Sequence, residues 1–357
     1  MRAEKFAFRG MGKMSIDRVP STVVLAATLL AAWIVGVAQA QEPSAKLDRT
    51  IQLRPEPGRL HPPVISDISI HPAGAIFAAA GDDHIVRIFE MESGNELYRL
   101  EDHRDWVRAV KFSPDGATLA TAGNDRRIIL WDVQRRAQLR SMGEFPYAVA
   151  DLAFNKAGTM LAIVGFGPTI AIHDPITGEK IHELEAPIND MRCVSFSHDG
   201  AIVAAAGRNG VIRTWDAQTG QMLGEVKAHR QRTHSLVFTS DSSHLISCSE
   251  DRMIKIIDLG QGKEVAQMSS APAKVMALTL IDDNTLISAG SDNRLRLWDM
   301  TTHQEIARLE GHSGSVTSID VYNDTIVSGG FDTTVRIWKI ESGERTALTP
   351  QGSLFTK

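Results

Sequence analysis

The nine residues Arg126–Gln134, RRIILWDVQ, hold an apolar run that stops at a Trp-Asp pair. That ending returns through the chain. Positions equivalent to Trp131 fall at Phe89, Trp131, His173, Trp215, Ile257, Trp298 and Trp338, in steps of 42, 42, 42, 42, 41 and 40 residues. Self-similarity at a fixed period of this size marks a repeat architecture. Each period reads as strand, turn, strand, tight turn, strand, turn, strand; the second copy runs VRAVKFS, PDG, TLATAG, NDR, RIILWDV, AQLRSM. Runs of β-branched and apolar residues bounded by Gly, Asp and Asn favour strands over helices. Seven four-stranded units therefore predict an all-β ring of antiparallel sheets.

The pairs Trp131-Asp132, Trp215-Asp216 and Trp298-Asp299, with Asp102-His103 and Gly311-His312 ahead of inner strands, resemble the WD40-repeat family over about residues 49 to 349. The resemblance implies a closed seven-bladed β-propeller, protein partners, no cofactor and no enzyme activity. It also implies a polar set bonded across each blade: His103, Thr121, Asp125 and Trp131 in the second copy, His312, Ser328, Asp332 and Trp338 in the seventh. Each buried bond contributes about 1 kcal/mol net while an orphan costs about 1–3, so a complete set or none is favoured. Other copies depart from it. The first has His61, Ala79, Asp83 and Phe89; the fifth has His229, Ser247 and Asp251 but Ile257; the sixth has Ser288, Asp292 and Trp298 but Ala271. Water is the expected stand-in for the missing partners. The third copy, with Phe145, Ile163, Gly167 and His173, lacks the set, and the fourth, with Pro187, Ala205, Asn209 and Trp215, is similarly degraded.

Around this body, composition gives a globular chain of 357 residues, 43% hydrophobic and 23% charged. The first forty residues carry five Lys and Arg against two acids, so without them the net charge moves from −5 to −8. A mildly acidic body argues against sequence-independent nucleic-acid binding, which needs dense Lys and Arg. STVVLAATLLAAWIVGVAQA, Ser21–Ala40, follows basic residues and ends Ala38-Gln39-Ala40, as a secretory signal peptide cut after Ala40 would. A retained single anchor is the rival, and Met11 or Met14 are alternative starts. Cleavage would leave a periplasmic or secreted protein with no membrane insertion; a monomer is expected. The expected organisation is residues 1–40 as leader, 41–60 as linker and ring-closing strand, 61–349 as propeller and 350–357 as tail. Cys193 and Cys248 are expected to be buried free thiols.

Two segments compete to complete the last blade: RTIQLR, Arg49–Arg54, which is favoured, and SGERTAL, Ser342–Leu348. Function must be sought in the loops, since the fold hosts many roles. Just ahead of the inner strands stand Val64, Trp106, Ala148, Asp190, Arg232, Lys274 and Ser315. Trp106, Pro146, Tyr147 and Phe166 make a candidate aromatic patch over blades two and three. Arg208, Arg230, Arg232 and Lys274 make a basic one over blades four to six. Aromatic and Arg side chains are the types that anchor interfaces. No His-Glu-x-x-His, nucleophile elbow or phosphate loop occurs, and no paired spacing marks a metal site. The leading expectation is an exported, non-catalytic protein-interaction scaffold. The alternative is an exported enzyme or small-ligand binder using the central channel, since DAQTG and DPITG resemble quinoprotein repeats; Arg108, Asp151, Arg192 and His234 would be its polar entries on the innermost strands.

Overall fold

The computed structural model describes residues 44–341 apart from 59 and 187. Residues 1–40, expected as a leader, Pro187, Ser342–Leu348 and residues 350–357 lie outside the described residues. The rest forms seven four-stranded antiparallel sheets, each following chain order except the last. Second strands are built from small side chains: Ala78, Ala79 and Ala80 in the first blade and Ala204, Ala205 and Ala206 in the fourth are all buried. Small residues let the sheets taper toward the axis. Third strands carry the bulk, with Trp131, Trp215, Trp298 and Trp338 at 2–5% exposure.

The apolar core is divided into seven clusters, and each joins two neighbouring sheets. Trp131 of the second blade packs with Ile88 and Leu100 of the first. Phe77 and Phe89 of the first blade, stacked at 5.1 Å, pack with Val327, Val335 and Ile337 of the seventh. Burial is thus supplied between blades, and no blade has a core of its own. The ring closes through Ser44–Gln52, which takes the outer place beside Thr334–Glu341 with Leu47 opposite Trp338 and Ile51 opposite Val335. Beyond it, Leu53 N–H donates to Thr333 O at 3.2 Å and Gln52 Nε2 to Thr333 Oγ1 at 2.8 Å.

The polar sets of the second and seventh blades are complete. His103 bonds Asp125 through Nδ1 and Thr121 through Nε2, both at 2.8 Å, and Trp131 Nε1–H donates to Thr121 Oγ1 at 2.9 Å. His312, Asp332, Ser328 and Trp338 repeat this at 2.8, 2.8 and 2.9 Å. In the fifth blade His229 bonds Ser247 at 2.8 Å and Asp251 at 3.0 Å, with Ile257 buried in the Trp position.

Two expectations need correction. His61 is exposed; Asp83 instead pairs at 2.5 Å with Arg87, itself 3% exposed. In the sixth blade Arg296, also 3% exposed, pairs at 2.5 Å with Asp292. An arginine two residues before the Trp position supplies a partner to each acid, and at Asp292 its fork spans the carboxylate, with Nη1–H donating at 3.1 Å and Nη2–H at 2.5 Å. The third blade has its own substitute. Phe145 meets His173 edge to face at 5.7 Å, and Tyr147 covers Gly167 so closely that a Cβ there would lie 1.9 Å from the ring. Tyr147 Oη–H donates to Thr169 O at 2.9 Å. Cys193 and Cys248 are buried and free.

Candidate functional site

All seven inner strands share one irregularity. Pairing with the second strand slips by a residue just after the first pair, as between Val107 and Ala109 or between Met191 and Cys193. A bulge leaves one residue out of the ladder and re-aims its side chain. Here the extra residues are Ser66, Arg108, Ala150, Arg192, His234, Met276 and Thr317, and all seven line one cavity of about 270 Å³ at the channel mouth. The convergence that the strand pattern left open is therefore met: Arg108, Arg192 and His234 share a level, and Asp151 lies one step deeper.

The rim is built the same way in each blade. The N–H after the second strand donates to the carbonyl ahead of the inner strand: Asn124 to Trp106 at 2.9 Å, Phe166 to Ala148 at 3.1 Å, Glu250 to Arg232 at 3.0 Å. At Gly123 a Cβ would fall 2.1 Å from Trp106 O, so in this blade the close approach calls for glycine, while the fifth blade makes the same bond with Ser249 in that place. Turn and entry residues thereby stand side by side around the mouth.

Trp106 and Phe166 come together through Arg108, whose guanidinium lies 4.3 Å from the Trp106 centroid and 5.4 Å from that of Phe166. Arg192 also reaches Phe166, at 4.4 Å from the ring centroid. Ala150, between the two arginines in ring order, leaves the space into which they lean. Pro146 is exposed, while Tyr147 is half-buried and committed to Gly167 and Thr169. Arg208 and Arg230 are exposed outliers. Arg232 and Lys274 converge on Glu250 at 3.0 and 3.1 Å, joined by His234 at 3.2 Å. Arg192 pairs with Asp190 at 2.5 Å, which Arg232 also approaches at 3.8 Å. Burial first, then the charge of Arg192, pushes the Arg108 guanidinium below its ordinary pKa. Burial likewise lowers His234 against the pull of Glu250.

Sequence reasoning did not single out Glu250 or Asn124. Their signal was positional, since both follow a second strand as Phe166 and Arg208 do. The spacing of Arg108, Arg192 and His234, 84 and 42 residues, likewise equals whole periods.

Deeper in the channel the acids are engaged by backbone. Asp67 accepts from Val110 N–H at 3.0 Å and from Lys111 Nζ at 2.9 Å. Asp151 accepts from Val194 N–H at 3.0 Å and Asp320 from Ile70 N–H at 2.7 Å, each tying its blade to the next. Burial, reinforced by the charge of Asp67, pushes Asp151 up to about 6 against the attraction of Lys111. Burial also raises Asp320. Among the described residues no group of three or more His, Cys, Asp or Glu is placed to hold a metal. The mouth is thus a pocket of cations and aromatic rings above a ring of structural carboxylates, an arrangement suited to holding an acceptor group.

Comparison with known proteins agrees with this geometry. The family model for the WD domain, G-beta repeat, matches residues 59–90, 94–132, 178–216, 220–258, 262–299 and 303–339. Its gap falls on the third blade, where Phe145 and His173 replace the polar set. The chain is 39% identical over 74 residues to Mitochondrial division protein 1 of Mycosarcoma maydis, covering 20% of this chain and 9% of that one. It is 33% identical over 105 residues to Ribosome biogenesis protein YTM1 of Eremothecium gossypii, 26% of this chain and 24% of that one. It is 37% identical over 65 residues to Eukaryotic translation initiation factor 3 subunit I of Debaryomyces hansenii, 18% of this chain and 19% of that one. The matches span under a quarter of each of these relatives.

Proposed function

Because the chain belongs to the WD40-repeat family, we propose that it is a non-catalytic interaction scaffold whose channel mouth receives a protein partner, and that it works outside the cytoplasm. One observation carries the reading. Trp106, Arg108, Phe166 and Arg192 are assembled into a single half-buried cluster at the mouth, and such residues dominate binding energy where they are packed and desolvated. A relative named as a subunit of an initiation factor gives general support for work in assemblies. The case for export rests on the basic leader and the apolar stretch Ser21–Ala40.

The test is affinity capture from the exported fraction with wild-type protein and with the double variant Trp106→Ala, Phe166→Ala, read by mass spectrometry of the bait N-terminus and its companions. The expected result is a bait beginning at Gln41 and companions lost in the variant. Undiminished capture by the variant refutes the mouth as the site. A small-ligand reading draws on the same cavity, whose 270 Å³ stands just below the range usual for ligand pockets, about 300–1,000 Å³. It predicts a bound small molecule in native mass spectra and no protein companion.

A further inference from the structure

We propose that the channel mouth holds an acidic side chain of the partner, an Asp or Glu flanked by an apolar residue, with its carboxylate between Arg108 and Arg192. This deepens the scaffold reading and rests on it.

The argument begins with what the bulge register does elsewhere in the ring. Ser66 uses it to donate to a backbone carbonyl, Ala80 O at 3.0 Å, and also meets Val107 O of the next blade. Thr317 donates to Ile65 O at 2.6 Å across the final blade boundary. In those blades the register staples neighbours together. Arg108 and Arg192 occupy it and make no such staple; both turn to Phe166. Two like charges brought onto one phenyl ring repel each other, and the low dielectric of a half-buried site magnifies that cost. Arg192 has Asp190 for compensation. Among the described residues Arg108 makes no ion pair; its Nε–H donates to the neutral Asn124 Oδ1, and its two terminal nitrogens are left for other acceptors.

The local charge count agrees. Four cations, Arg108, Arg192, Arg232 and Lys274, face three acids, Asp105, Asp190 and Glu250, and the last already serves three groups. The unsatisfied buried atoms point the same way. Of these, Trp106 Nε1 belongs to a residue lining the cavity and is a donor without an acceptor, and a buried donor left unpaired costs about 1–3 kcal/mol. A carboxylate would satisfy donors and neutralise charge together, and the Arg fork suits its planar geometry.

The surroundings select the source of that carboxylate. Phe331 stands 51% exposed and lines the same cavity as Trp106. A free phosphate would leave these rings wet, whereas an acidic residue with an apolar neighbour covers them.

The experiment is an oriented library of dodecapeptides offered to the immobilised mature protein, with one position at a time fixed as Glu, Gln or Lys. Enrichment of Glu over Gln at one position, next to an aliphatic or aromatic residue, is expected. The best peptide should bind at least tenfold more weakly to the double variant Arg108→Gln, Arg192→Gln, with partial recovery in Arg108→Lys, Arg192→Lys. Circular dichroism melting checks that the variants fold. A measurement free of variants stands beside it: the Trp106 Nε1–H resonance should move with the Glu peptide and stay still with its Gln isostere. Absence of acidic selection, or a folded Gln variant that binds equally well, overturns the proposal. So does stabilisation by inorganic phosphate or succinate without peptide selection, which would assign the pocket to a free anion. If Trp106→Ala, Phe166→Ala loses the captured partner while Arg108→Gln, Arg192→Gln keeps it, this inference fails and the scaffold reading stands.

Discussion

Asp332 shows how one side chain in this fold carries both stability and its pH dependence. Burial opposes its ionisation, yet bonds from His312, Ser313 N–H and Thr334 outweigh that and hold its carboxyl well below the usual range. Asp125 and Asp251 are held low in the same manner. A depressed carboxylate contributes stability that is full above its unfolded pKa of about 3.9 and is lost as pH falls through its folded value. Chemical denaturation of Asp332→Asn should therefore show a loss of about 3 kcal/mol near neutrality, shrinking as pH drops below about 4. Asp151 has the opposite sign. Its carboxyl titrates at about 6 in the folded chain, so its contribution is largest below about pH 4 and declines as pH rises through that folded value. Carbon-detected NMR of the Asp151 carboxyl should give a midpoint near 6, and one near 4 would show that the channel does not desolvate it. The His, Ser or Thr, Asp and Trp positions of blades two and seven were legible in the chain because the resemblance to the WD40-repeat family assigns them at the repeat spacing. The roles of Arg87 and Arg296 were not, since an arginine in a third strand looks like a solvated face until its carboxylate is seen beside it.

Strands were legible because turn residues recur at each period, and their order followed. What pattern alone hid was the bulge in each inner strand. A slip of one residue changes which side chains meet the channel, and no residue type marks it, for Ser, Arg, Ala, His, Met and Thr all occupy the position. The closing strand offers the sharpest element-scale test. Ser44–Gln52 covers the edge of Thr334–Glu341, and a proline at Ile51 would remove an N–H from that ladder and disturb the Ile51 packing against the core shared by blades one and seven. Ile51→Pro should lower stability by about 1–3 kcal/mol, the cost of a lost ladder bond with its acceptor orphaned, and promote self-association through the bared edge, readable by thermal melting and light scattering. An unchanged melt would mean that the seventh blade draws its outer strand from elsewhere.

At the scale of the whole ring, seven shared cores mean that no blade is stable alone. Unfolding should be a single cooperative transition, with calorimetric and van't Hoff enthalpies in agreement; a separate early transition for the third blade would show that Phe145 and His173 couple it poorly. Folding should be slow, because the Ile51–Val335 pair joins residues nearly the full length of the propeller apart. The interlock of first strand with last has one more consequence, during synthesis. The segment made earliest has no berth until the latest has been made, so a prematurely terminated chain keeps two naked margins and two half-covered cores. Such a fragment advertises its own incompleteness to proteases and chaperones, and only full-length copies escape that surveillance.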